Sequence, residues 1–252
     1  MSYYSRSLEL LNTIAKRAAL GLVRDFAELT QLQSAPKGHE EFTQAAIDRT
    51  IMVLRTELGK FHADYPIVDK VEDLPIAECF VVNPLDGKMN FMRGIPYFAT
   101  TVAIVKRDQV LASVIYNPAT GDTYLAEKGG GAFKEAARNN LRLRVSSRVD
   151  LPRTLIATEE EKLREHVGGM RNFGSVSLDL AAVASGQFDG LVRNGNSLSE
   201  MAAGILLVNE SGGRNLSPQQ SDERREDIKA IWQSGNLISG NPAICKKLFD
   251  LV

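Results

Sequence analysis

Cysteine is scarce in this chain: Cys79 and Cys245 are the 2 cysteines in 252 residues, and their distance in sequence excludes a paired redox or metal motif and a disulfide-stapled scaffold. The 3 histidines, His39, His62 and His166, have no spacing that suits a shared metal. No apolar run reaches the roughly 18 residues expected of a membrane-spanning helix. The opening Met-Ser-Tyr-Tyr-Ser-Arg lacks a secretory apolar segment, so the absences together predict a reduced, cytoplasmic protein without a membrane partner. Surplus charge is also missing. With 30 basic and 31 acidic residues the formal net charge is −1, which excludes a broad electrostatic drive toward nucleic acid. Flexible linkers, internal repeats and low-complexity tracts are absent as well.

What is present is apolar material, 44% of the chain, enough for a large core in one domain or two closely packed halves. Leu8, Leu11, Ala15, Ala18 and Ala19, then Val23, Phe26 and Leu29, recur at helical spacing and predict one long amphipathic helix. Ile47, Ile51, Leu54 and Leu58 predict a second. From Thr100 to Ala126 the pattern turns β-rich in three runs separated by polar turns, which predicts an antiparallel meander. The glycine run Gly129 to Gly131 has no phosphate-loop lysine and reads as a turn. After about residue 146 short apolar strands alternate with helical segments, and Asn241-Pro242 has the form of a helix start. The expected division is an α+β half over residues 1–145 and an α/β half over 146–252, packed as one compact unit.

The most informative segment is Phe80-Val81-Val82-Asn83-Pro84-Leu85-Asp86-Gly87-Lys88-Met89-Asn90-Phe91. An apolar run feeding Asn-Pro and Asp-Gly reads as a buried strand that delivers Asn83 and Asp86 at its carboxyl end. The segment resembles the Asp-Pro-Ile/Leu-Asp-Gly-Thr-Thr-Asn-Phe motif of the inositol monophosphatase family, with Asn83 in place of the first Asp and Lys88 in place of the first Thr. Further blocks match in the same order: Gly94 to Ala99, Asn117 to Thr120, Ala126 to Phe133, Gly174 to Ala181, and Ser199 to Gly204. Residues 7 to 248 are covered, and the bacterial extragenic-suppressor branch is the most similar.

The resemblance implies a layered α-β-α-β-α sandwich with a magnesium-dependent phosphomonoesterase site between its halves. By that resemblance the metal ligands correspond to Asp69 (or Lys70, the register being open by one residue), Asn83, the Leu85 carbonyl, Asp86 and Glu200. Asn83 offers only a neutral amide oxygen, and an Asn-Pro turn is its plain alternative. Glu200 is one methylene longer than the family Asp. Ser197-Leu198-Ser199-Glu200 is equally a capping-box sequence, and both readings stand. Lys88 lacks the hydroxyl of the family Thr that positions water; it is either solvated or an ammonium standing between Asp86 and Glu200 in place of metal. The acidic partner of that Thr falls on Ile47, or on Gln44 in a shifted register, with Asp48 one residue away.

Asp86 and Lys88 are therefore the expected catalytic positions, and Gly87, Lys88, Gly174, Ser175 and Arg193 the expected substrate contacts. Arg193 stands where family enzymes often place an acid against a substrate hydroxyl. The family's ligand charge of about −4 falls to about −2 here, so magnesium binding is expected to be weak or absent. The expected function is a weakly active or non-catalytic protein with a binding or regulatory role. The alternative is an active phosphatase of inositol 1-phosphate or a related sugar phosphate. The resemblance further implies a phosphorylated small-molecule ligand, a homodimer, and a protein partner in the transcription machinery.

Overall fold

The structure, a computed structural model, describes residues 5–31, 36–136, 139–222 and 224–252. Two 26-residue helices come first, α1 (Arg6–Gln31) and α2 (Pro36–Phe61). The expected stripe of α1 is buried at Leu8, Leu11, Ala15, Ala18, Ala19 and Leu29, whereas Val23 is exposed and does not belong to it.

Seven strands follow in one sheet, hydrogen-bonded in chain order: β1 (Ile67–Val68), β2 (Glu78–Asp86), β3 (Ala99–Lys106), β4 (Gln109–Tyr116), β5 (Thr123–Glu127), β6 (Gly131–Lys134) and β7 (Leu141–Arg142). The meander read from the sequence is thus the centre of a larger sheet. Among the described residues of this sheet only β1 and β2 run parallel. A short helix, α3 (Lys88–Met92), leaves the end of β2.

The second sheet contains β8 (Leu155–Thr158), β9 (Gly169–Arg171), β10 (Gly190–Arg193), β11 (Arg214–Leu216) and β12 (Leu237–Gly240), in the spatial order β11-β12-β10-β8-β9. Its helices are α4 (Val176–Ala184), α5 (Leu198–Glu210), α6 (Ile228–Ser234) and α7 (Pro242–Phe249). Asn241 caps α7 as its sequence predicts, its Oδ1 accepting from the backbone N–H groups of Ala243 and Ile244, each at 3.0 Å.

Side-chain alternation along β2 sets the layers. Phe80 and Val82 pack with Leu8, Leu11, Leu54 and Leu58 under α1 and α2. Cys79 and Val81 face the other way, into a cluster with α4 and α5. Those two helices are apolar nearly all round, as a helix covered on both sides must be. Beyond them lies the second sheet, whose outer face is closed by Ile244, Cys245 and Leu248 of α7. The result is the five-layer α-β-α-β-α sandwich. Close approach in the middle layer depends on Gly204, where a Cβ would come within 2.3 Å of Leu180 Cδ1.

Candidate functional site

The end of β2 is bent by its own sequence. Asn83 pairs with Thr101 and Asp86 with Ala99, so β2 carries one residue more than β3 across this stretch, a bulge. Pro84, which has no N–H to give a ladder, fits there; its carbonyl accepts from Thr100 Oγ1 at 2.9 Å. Asn83 Oδ1 accepts from the Leu85 N–H at 3.2 Å, so the amide oxygen offered as a ligand is turned onto its own backbone. Gly87 follows with φ 80°, and a Cβ there would lie 2.9 Å from the Tyr97 carbonyl oxygen. Only glycine fits that turn.

Asp86 is 3% exposed. Its Oδ2 accepts from Ser175 Oγ at 2.6 Å, from the Ser177 N–H at 2.8 Å, and from Ser177 Oγ. Ser175 is the N-cap of α4, so the carboxylate rests on that helix's N-terminus. Burial pushes the Asp86 carboxyl up to about 6; the serine hydrogen bonds oppose that rise, and the nearby Glu200 charge adds to it. Gly174, at φ 78°, brings the chain to Ser175 across the Asn90 amide. Asn90 Nδ2 in turn donates to the carbonyls of Tyr97 at 2.7 Å and Phe173 at 2.5 Å.

Glu200, half-buried at the start of α5, folds back on its own helix. Its Oε2 accepts from the Ser197 N–H and from Ser197 Oγ, both at 2.7 Å. The structure therefore gives the carboxylate its capping role. Lys88 is exposed on the first turn of α3 and forms no ion pair among the described residues. Of the two readings of Lys88, the exposed side chain corresponds to the solvated one, and serine hydroxyls and a backbone N–H meet Asp86. Asp69 and Lys70 are both exposed. They follow β1, whose Val68 lies opposite Val81, so continuing the register by two brings Lys70 level with Asn83.

On α2, Ile47 packs against the cluster of Leu85, Phe91 and Phe98. Gln44 and Asp48 are exposed and bonded to each other, Nε2 to Oδ1, at 3.0 Å. Neither supplies an acid at the end of β2.

Arg193 is buried. Its Nη2 donates to Asp179 Oδ2 at 2.7 Å and Asn172 Oδ1 at 2.9 Å, and its Nη1 to Glu159 Oε1 at 2.5 Å. Tyr97 donates its hydroxyl to the other Asp179 oxygen at 2.8 Å. Burial raises the Asp179 carboxyl above the usual carboxylate range, with Arg193 opposing it. Asp179 and Ser177 are the site residues that sequence reasoning missed. A signal existed for Asp179: it is the one acid in the apolar run Val176 to Ala184, and such a charge needs a buried partner.

The residues that would hold a magnesium ion are Asp69, the Leu85 carbonyl, Asp86 and Glu200, and part of their oxygen set is engaged within the chain. The ion needs several oxygens converging at about 2.0 to 2.1 Å. Here Asn83 and Glu200 are engaged with their own backbones, one Asp86 oxygen holds three protein donors, and Asp69 is exposed. Among the described residues no group of three or more His, Cys, Asp or Glu side chains is placed to hold a metal.

The model of the inositol monophosphatase family matches residues 15–249. A protein of Rhizobium meliloti (strain 1021) named inositol-1-monophosphatase is 34% identical, the match covering 96% of this chain and 96% of that one. One of Xylella fastidiosa (strain Temecula1 / ATCC 700964) named Nus factor SuhB is 28% identical over 98% of this chain and 94% of the other. The solved extragenic suppressor protein suhB from Bartonella henselae superposes with a TM-score of 0.82 at 32% identity, covering 98% of both chains.

Proposed function

This chain belongs to the inositol monophosphatase family, and we propose that it keeps the family fold around a phosphomonoesterase site too altered for efficient hydrolysis, serving instead as a binding or regulatory protein. The family is generally magnesium-dependent. In this reading magnesium binds weakly or not at all. The observation that carries the reading is the state of Asp86, the retained acid of the motif, whose carboxylate is held by two serine hydroxyls and a backbone N–H. All three donors meet Oδ2, which leaves Oδ1 as the one oxygen of that carboxylate open to a metal. The neutral amide of Asn83 and the cap made by Glu200 weaken the site further.

A cytoplasmic homodimer with a protein partner in the transcription machinery belongs to the same proposal. Relatives named Nus factor SuhB, 26 to 28% identical, support that partner. A phosphorylated small molecule could still lie over Gly87, Lys88 and Gly174 without being cleaved.

The second reading is an active magnesium-dependent phosphatase of inositol 1-phosphate or a related sugar phosphate. Relatives named inositol-1-monophosphatase at 34 and 35% identity favour it. Calorimetry at millimolar magnesium and a phosphate-release assay on inositol 1-phosphate separate the two. Little heat and turnover far below about 1 per second support the first reading. Saturable micromolar magnesium binding, or turnover at that rate or faster, establishes the second.

A further inference from the structure

Three parallel strands of the second sheet end side by side. β8 lies between β10 and β9, with Thr158 opposite Val192 on one side and Ala157 opposite Arg171 on the other. Glu159, Arg193 and Asn172 come next in their strands, so they meet at the carboxyl ends, where parallel α/β sheets receive their ligands. A cavity of about 370 Å³ opens there against Thr158, Glu159, Arg171 and Asn172. That volume is in the range of small-ligand sites. Arg193 is bonded to Asp179, which lies one turn along α4 from the Ser175 that holds Asp86, a rise of about 6 Å. The guanidinium and the Asp86 carboxylate thus rest on the same end of α4.

Arg193 is built in on one side and covered by a movable group on the other. Buried Asp179 and Asn172 fix its Nη2, and the side chain is 5% exposed. Its Nη1 donates to Glu159, whose side chain is 67% exposed. An exposed acid gains little from such a pair, whereas a cation already held in place loses little freedom when a ligand takes it. On the same cavity Glu161 and Arg164 satisfy each other, at 2.7 and 2.8 Å. Arg171 donates to the neighbouring Met170 carbonyl and forms no ion pair among the described residues. With Glu159 turned out to solvent, Arg193 and Asp179 cancel and Arg171 leaves one positive charge, which suits a monoanion better than a dianionic phosphate.

The geometry points to Arg193 as the residue that receives a carboxylate of the ligand, with Glu159 holding its place until the ligand arrives. The group already seated on Nη1 is a carboxylate, so another fits there without moving Asp179 or Asn172. A ligand anchored by a phosphoryl group over Gly87, Lys88 and Gly174 presents its own carboxylate at high effective concentration, and Glu159 gives way by rotating its side chain. The site then selects a phosphorylated acid over a neutral phosphorylated polyol. Carboxylate selection rests on the proposed function for the place of the phosphoryl group, but it needs neither magnesium nor turnover.

Two probes that share a phosphorylated six-carbon body test this: 6-phosphogluconate, with a carboxylate, and glucose 6-phosphate, without one. Calorimetry on the intact protein, in magnesium-free buffer of fixed ionic strength, is expected to show the acid bound at least about tenfold more tightly. Glu159→Ala removes the competing carboxylate and should tighten the acid about threefold or more, while moving glucose 6-phosphate by less than about twofold. Arg193→Leu with Asp179→Asn, checked for folding by circular dichroism, should erase the preference; if that variant is unfolded, the Glu159→Ala result decides. Fructose 1,6-bisphosphate, with a phosphate in place of the carboxylate, should bind more weakly than the acid. Equal binding of the two probes refutes carboxylate selection alone, and binding of neither at about 10 mM refutes the phosphoryl site with it. A preference that survives the loss of Arg193, or a bisphosphate bound more tightly than the acid, overturns the assignment.

Discussion

Arg193 Nη2 lies 2.7 Å from Asp179 Oδ2 with both side chains buried, joining the end of β10 to the middle-layer helix α4. Asn172, Glu159 and the Tyr97 hydroxyl complete the network. A buried charge pair gains little over an apolar pair of the same volume, but breaking it on one side leaves a charge stranded in the core.

Arg193→Leu is therefore expected to cost about 3 to 5 kcal/mol in urea unfolding. Asp179→Asn added to it keeps an acceptor for Tyr97, removes the stranded charge and recovers most of that loss. Equal stability of the single and double variants would show that the charge is not what matters.

Asp86 gives a pH test whose sign is fixed. Its carboxyl titrates near 6 when folded, against 3.8 for an ordinary Asp, so the folded chain holds the proton more tightly. The associated stability is fully present below about pH 3.8 and is lost as pH rises through about 6. Asp86→Asn should then raise the melting temperature at pH 8 and not at pH 4. The upper bound is about 3 kcal/mol, at roughly 2 to 4 °C per kcal/mol. Asp179 also titrates high, so the comparison is variant minus wild type at each pH. A gain as large at pH 4 as at pH 8 contradicts the assignment.

Glu200 and Lys88 should separate cleanly in thermal unfolding. Glu200→Ala loses the two bonds to Ser197 and about 1 kcal/mol. Lys88→Ala should change stability by less than about 0.5 kcal/mol, with or without magnesium. A large drop for Lys88→Ala, recovered by magnesium, would mean that its ammonium does occupy the metal's place.

Repair of the site should be strongly non-additive, because catalytic parts act as a unit. Asn83→Asp alone is expected to add little inositol 1-phosphate hydrolysis. Asn83→Asp, Lys88→Thr, Glu200→Asp and Ile47→Asp together should exceed the best single variant by more than about tenfold in kcat/KM. Ile47 packs on the Leu85, Phe91 and Phe98 cluster, so the fourfold variant must be checked for folding by circular dichroism first. Additive small gains would count against a site altered as a unit.

The layers were legible because their signals are local. Helical spacing marked α1 and α2, β-rich runs between polar turns marked β3 to β5, and Asn-Pro marked the start of α7. Val23 shows where periodicity stops: its spacing fits the stripe, but what covers a helix face is decided by distant chain, and among the described residues Val23 stays 42% exposed. The short apolar run in α4 could not be told from a strand by period alone. At the site, the motif placed Asn83 and Asp86 at the end of a strand. The donors to Asp86 are 89 and 91 residues away, a pairing that no spacing rule encodes. Glu200 was legible as both ligand and cap, and only the direction of its side chain separates the two.

Both margins of the seven-stranded sheet are two-residue strands, β1 and β7. A foreign strand docking there would find room for few ladder bonds, since Asp69 and Lys70 leave β1 at once and Arg142 ends β7. A sheet this apolar is thereby shielded against edge-to-edge aggregation, and lengthening β1 with β-branched residues in place of Asp69-Lys70 should make the protein prone to self-association at high concentration.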